Sequence, residues 1–113
     1  MPSVPSEQCV PRAEALARAF QFLGKRWTAV VLGRLSEGPA GFRELSRAVG
    51  GVSDSVLSDR LSDLAAGGLV TRTVDAGPPL SVSYALTDSG RALMPALEQI
   101  AVWATEHLPP ERC

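Results

Sequence analysis

The stretch "GGVSDSVLSDRLSDLAAGGLVTR", residues 50–72, brings Ser53, Ser55, Ser58 and Ser62 close together. No G-x-S-x-G elbow surrounds them, no phosphate-binding glycine loop occurs, and the single histidine, His107, lies far along the chain. There is no acid pair with a catalytic setting either, so an enzyme is not expected. Small hydroxyls at this spacing serve better as helix caps and as hydrogen-bonding groups on a helix face. The same stretch carries Asp54, Asp59 and Asp63 against one basic residue, Arg60. Such a helix is an awkward reader of an acidic polymer. Any positive charge it needs must come from elsewhere in the chain.

That charge is largely guanidinium. Residues 25–91 hold Lys25, Arg26, Arg34, Arg43, Arg47, Arg60, Arg72 and Arg91 against seven carboxylates. Arginine suits planar, bidentate contact with phosphates or guanines. Over the whole chain 11 Lys+Arg face 12 Asp+Glu, a net charge of −1 that disfavours a purely non-specific nucleic-acid binder. Cys9 and Cys113 lie near opposite ends, and no Cys or His pair has metal-ligand spacing. Neither a metal nor another cofactor is expected.

The elements that position these groups follow from periodicity. At 113 residues the chain reads as one domain, and 45% hydrophobic residues is the share of a folded protein. Its longest apolar runs, such as "AVVL" at 29–32, are too short to span a bilayer. "MPSVPSEQ" has neither a basic start nor an apolar segment, so no signal peptide is read and a cytoplasmic, membrane-free location is expected. Three prolines make residues 1–11 read as an extended arm, and 109–113 read as a tail. Leu16, Ala19, Phe20 and Leu23 then follow helical spacing over 12–23. Trp27, Val30, Val31 and Leu35 give a second helical face, which Gly38-Pro39 ends.

Phe42, Leu45 and Val49 share one face of a short third helix. Ser53 is placed to cap a fourth, with Val52 stapled onto Leu57 and Asp54 in the first turn, where a carboxylate meets the helix dipole favourably. Leu57, Leu61 and Leu64 line its inner face until Gly67-Gly68 ends it. "LVTRTV" and "SVSYAL" alternate with period two around "DAGPPL", which predicts a two-stranded hairpin. Thr87 caps a last helix, about 88–107, with a kink expected at Pro95.

The fold class is therefore mainly α with a small β-hairpin: a winged helix-turn-helix within 12–108, flanked by extra N- and C-terminal helices. Their apolar residues are Leu16, Phe20 and Leu23 at one end, and Leu93, Leu97, Ile100, Trp103 and Ala104 at the other. A three-helix core cannot easily hide all of them. They either pack on the core of a monomer or pair with a second copy. A two-fold homodimer, the commonest closed symmetry, is the expected arrangement.

"LGKRWTAVVLGRLSEGPAGFREL", "GGVSDSVLSDRLSDLAAGGLVTRT" and "PPLSVSYALTDSGRALMPALEQIAVW" together resemble the HxlR-type bacterial transcription regulators, relatives of the MarR group. The combination carries the likeness: a Gly-x-x-Trp helix entry, Phe-x-Glu-Leu, Leu-Ser-x-Arg-Leu, Gly-Leu-Val-x-Arg, Pro-Pro before Val-x-Tyr, and Leu-Thr-x-x-Gly. The resemblance implies a homodimer on a palindromic double-stranded DNA operator, many members being repressors and several sensing electrophiles, oxidants or small metabolites. It also implies that the fourth helix enters the major groove while the hairpin lies along the flanking backbone or minor groove.

Placing the leucines inward turns Ser55, Asp59 and Ser62 outward, with Ser58 on the flank. Ser55 and Ser58 are then the candidates for base edges, near the helix start. Ser53 caps the helix or meets a phosphate. Val56 touches a thymine methyl or packs half-buried, and Asp59 accepts from cytosine N4 or is a solubilising charge. Arg60 contacts a phosphate or braces the motif through an internal ion pair. Arg26, Arg43 and Arg47 flank the motif as phosphate contacts or as solvated charges, and Arg72 lies in the strand leading to the wing. Two departures from the family pattern stand out: Gly41 replaces a basic residue before Phe42, and the wing "DAGPPLS" has no cation.

For regulation two expectations stand. Cys9 is a candidate redox sensor, displaced from the family's cysteine position and with only Arg12 near it in sequence to favour a thiolate; Cys113 reads as a bystander. Alternatively Phe20, Phe22, Trp27, Tyr84 and Trp103 line a cleft for a small-molecule effector, or are plain core and interface. A rival reading is a winged-helix protein-interaction module without DNA binding, which the acidic balance, neutral wing and Gly41 favour.

Overall fold

The structure, a computed structural model, describes residues 4–110, with side chains from Arg12 onward. The elements run α1 (Val4–Leu23), α2 (Thr28–Leu35), β1 (Ala40–Gly41), α3 (Phe42–Val49), α4 (Asp54–Ala66), β2 (Val70–Asp75), β3 (Ser81–Leu86) and α5 (Asp88–His107). The arm expected over 1–11 is instead helical from Val4. Pro5 falls in the first turn, where an absent N–H removes no helical bond, and the alanine-rich run after Pro11 favours continuation. Cys9 lies within α1, but its side chain is outside the described residues, as is all of Cys113.

Trp27 does not open the second helical face as expected. It is the residue before α2, held at φ 81° in the left-handed region. Arg26 stacks on it, the guanidinium carbon 4.6 Å from the ring centroid.

α4 is defined at both ends by its own sequence. Ser53 Oγ accepts from the Val56 N–H at 3.2 Å. At the other end Gly68, at φ 81°, lets its own N–H reach the Ala65 carbonyl and the Leu69 N–H reach the Leu64 carbonyl. This pair of bonds closes the helix and turns the chain into β2.

The hairpin is present, and it is joined by a third strand that periodicity does not predict. The sheet order is β1-β3-β2, all antiparallel, with Ala40 opposite Tyr84 and Gly41 opposite Ser83. Two residues are too few for any alternation to register in sequence. Glu44 accepts from the Gly41 N–H at 2.8 Å, so the same glycine ends β1 and starts α3.

Val31, Leu32, Leu35, Leu45, Leu57, Leu61, Leu64, Val70 and Leu86 make the core, which joins α2, α3, α4 and the sheet. A leucine buried this completely contributes about 1.5–3 kcal/mol relative to exposure. Of the expected interface residues, Leu23, Leu93 and Leu97 pack against this core and remain partly exposed. Leu16, Phe20, Ile100 and Trp103 remain exposed at 54%, 51%, 44% and 54%, and Ala104 is half-buried. The molecule is accordingly elongated. Its radius of gyration is 16.8 Å, against about 13 Å for a compact domain of this size.

α5 passes through Pro95 as one helix. Its start is locked to the end of α4: Thr87 Oγ1 donates to the Gly68 carbonyl at 2.6 Å and accepts from the Gly90 N–H at 3.1 Å. Gly90 is buried so close to Leu69 that a β-carbon there would collide with the Leu69 carbonyl.

Candidate nucleic-acid interface

Burial of Leu57, Leu61 and Leu64, all at 2% exposure or less, fixes which side of α4 faces outward. Ser55, Ser58, Asp59 and Ser62 are turned away from that core, as helical spacing requires. Val56 is half-buried. Ser53 takes the capping role, and Ser55 Oγ lies 3.4 Å from Ser53 Oγ at the helix start. The outer face of α4 is therefore a run of small hydroxyls with a single outward carboxylate, Asp59.

The other two aspartates are neutralised by neighbours. Arg43, on α3, reaches both carboxylate oxygens of Asp54 at 3.3 and 3.2 Å. Asp63 receives Lys25 Nζ at 3.0 Å and Arg60 Nη2 at 3.2 Å. The hydrogen bond from Lys25, with the charges of Lys25 and Arg60, holds the Asp63 carboxyl below its ordinary value of 3.8, against some desolvation. The internal ion pair read for Arg60 is present. Its side chain is only 18% exposed, and its Nε is buried without a partner. Lys25 and Asp63 are 38 residues apart, and no local pattern connects them.

Among the described residues Arg26, Arg47 and Arg72 make no ion pair. Arg47 is exposed on the last turn of α3. Arg26 sits on Trp27, whose ring lies beside the turn between α3 and α4: a β-carbon on Gly51 would be 3.8 Å from it. Arg72 is exposed on β2, directly opposite Tyr84 on β3. Gly41, where a basic residue was expected from the family pattern, is tight against the sheet. A β-carbon there would lie 3.4 Å from the Val82 carbonyl oxygen. The wing is uncharged beyond Asp75 and carries exposed Val74 and Leu80.

The five aromatics do not share one cleft. Phe20 and Trp103 are exposed, Tyr84 belongs to the core, and Trp27 lies by Gly51. Phe22 lines an apolar cavity of about 340 Å³ with Ala19, Leu23, Leu69 and Leu93, between α1, the start of β2 and α5. Among the described residues, no group of His, Cys, Asp and Glu could hold a metal ion, and no helix is long and apolar enough to cross a membrane.

Comparison with known proteins places this geometry. The HxlR-like helix-turn-helix family model matches residues 22–112. The HTH-type transcriptional regulator YvaP of Bacillus subtilis is 42% identical over 105 residues, 93% of this chain and 94% of the relative. The structure of the reduced transcriptional regulator YodB from B. subtilis superposes with a TM-score of 0.78 at 32% identity, covering 87% of this chain and 96% of that one. The redox regulator HypR in its reduced form gives a TM-score of 0.76 at 27% identity, over 81% of this chain and 91% of its own.

Proposed function

The chain belongs to the HxlR-like helix-turn-helix family, and on that footing we propose that it is a sequence-specific, DNA-binding transcriptional regulator. It acts as a homodimer, and as a repressor, on a double-stranded operator of two-fold symmetry. The observation that carries the reading is the outward serine face of α4, held there by three buried leucines and capped at Ser53. α4 enters the major groove. Ser55 and Ser58 meet base edges, with Asp59 the carboxylate placed to accept from a cytosine amino group. Arg26, Arg47 and Arg72 meet the backbone, and Arg43 joins them when it leaves Asp54. The exposed residues of α1 and α5, Leu16, Phe20, Ile100 and Trp103, supply the dimer surface.

One observation favours a second reading, a winged-helix module that binds protein alone. The wing has no cation, and Leu80 stands 70% exposed on it. An anisotropy titration on DNA upstream of the protein's own gene, repeated across salt concentrations, separates the two. The DNA reader prefers that duplex over a scrambled one and protects two half-sites about one helical turn apart. Equal binding to both duplexes would overturn the sequence-specific reading, and binding to neither at low salt would leave only the interaction module.

Regulation has two candidate inputs. A small apolar effector fits the cavity beside Phe22, and thiol oxidation would act at Cys9. An oxidant that releases DNA from the wild type and not from Cys9→Ser assigns the second.

A further inference from the structure

We propose that the cleft between α4 and the sheet is a phosphate subsite, which takes one phosphodiester of the operator backbone on Arg72, Ser62 and the Tyr84 hydroxyl, with Ser58 at its edge left to the bases. The inference rests on the DNA-binding reading above and gives it an anchor that the neutral wing lacks. The cleft has a volume of about 210 Å³. Its polar lining is Arg72, Ser58, Ser62 and Tyr84, and no carboxylate lines it. Phe42, Leu61 and Ala65 complete the wall.

Two element geometries bring the donors together. Arg72 and Tyr84 are direct cross-strand partners, so their side chains leave the same face of the sheet. Ser58 and Ser62 are four residues apart on α4, one above the other on one helix face. The cleft lies where those two faces meet.

The groups are also unengaged. Tyr84 is 9% exposed, yet its hydroxyl bonds to no protein group among the described residues. The hydroxyl opens onto the cleft and is free to bond a ligand there. Arg72 makes no ion pair among the described residues, whereas Arg43, Arg60 and Arg91 each hold an aspartate. Apolar walls strengthen each hydrogen bond to an anion held there.

A phosphodiester is the phosphate source this position favours. The cleft flanks the outward face of α4 on its sheet side, where a strand leaving the groove passes between the reading helix and the wing. A free phosphorylated metabolite has the same chemistry, and the test must separate it.

The experiment uses the full chain and the upstream duplex. Tyr84→Phe keeps the buried ring and removes a hydroxyl with no protein partner, so the thermal midpoint should stay unchanged. Its DNA affinity should fall about tenfold per half-site, the size expected for one hydrogen bond to a charged group. Arg72→Ala, at an exposed site, should weaken binding to operator and scrambled DNA alike and reduce the salt slope by about one per subunit. Single methylphosphonate linkages scanned along the duplex should weaken the wild type at one position per half-site. Arg72→Ala should be indifferent to that linkage.

Operator binding by the wild type that neither variant alters would overturn the subsite and leave the DNA reading standing. Competition by inorganic phosphate at constant ionic strength, abolished by Arg72→Ala, with an unaltered DNA salt slope, would give the cleft to a free anion instead. A wild type with no preference for its upstream duplex would remove the DNA reading, and this inference with it.

Discussion

Arg43 and Asp54 face each other across the turn between α3 and α4, the guanidinium within 3.3 Å of both carboxylate oxygens. A cation proposed as a phosphate contact thus already holds an anion within the protein itself. On the proposed DNA-binding reading, DNA must displace Asp54 to recruit Arg43. Asp54→Asn should therefore tighten binding to scrambled DNA several-fold and steepen the salt slope by about one per subunit. Both partners are largely exposed, so the fold should lose no more than about 1 kcal/mol. An unchanged slope in the variant would show that Arg43 never reaches the backbone.

Reading and anchoring should separate by mutation. Ser55→Ala and Ser58→Ala should cut the ratio of operator to scrambled affinity, each by about 1–3 kcal/mol if its hydroxyl bonds a base edge. Arg47→Ala should lower both affinities together. Melting curves check that the fold is kept in each case. Equivalent behaviour of the two classes would refute the division of labour between α4 and the arginines.

Acid should loosen the link between the α1–α2 turn and α4. The Asp63 carboxyl titrates below its ordinary value because Lys25 and Arg60 favour its charged form. A depressed carboxylate pKa adds stability that is fully present above the ordinary carboxylate range and lost as pH falls through the lowered value. Asp63→Asn should accordingly be less stable at neutral pH and lose less on acidification than the wild type does. Urea unfolding at a series of pH values measures both effects.

Packing predictions are sharper because backbone is involved. Gly90→Ala forces a methyl group into the Leu69 carbonyl and should displace α5 from β2, with a large drop in melting temperature. Leu61→Ala, in the core, should cost about 2–5 kcal/mol. Ser53→Ala removes the cap of α4 and should cost about 1 kcal/mol.

The dimer surface is testable by charge. Trp103→Glu and Phe20→Glu alter exposed side chains, so each should fold while sedimenting as a monomer. Operator affinity should fall because a monomer holds only one half-site. A variant that still sediments as a dimer would move the interface elsewhere.

Periodicity and capping chemistry carried most of the fold. The leucines of α4, the Ser53 and Thr87 caps and the hairpin are local patterns, and each was legible. What escaped was set by distance or brevity. β1 is two residues long, and Lys25 meets Asp63 only because the turn after α1 lies beside α4. Leu93 and Leu97 share a helical stripe with Ile100, yet the chain covers the first two in part and leaves the third out. A stripe announces that a face is apolar without saying whose surface will cover it. Likewise Arg43, Arg47 and Arg60 look alike in sequence, and only their carboxylate neighbours tell a tethered cation from an available one.

If the proposed dimer forms through Leu16, Phe20, Ile100 and Trp103, the protein's own copy number becomes one of its inputs. When assembly and operator occupancy draw on the same pool of subunits, halving that pool lowers the number of competent readers more than twofold once monomers predominate. Dilution by cell growth would then release the operator more abruptly than it could for a one-chain repressor. The bare apolar flank would serve as a dosage gauge.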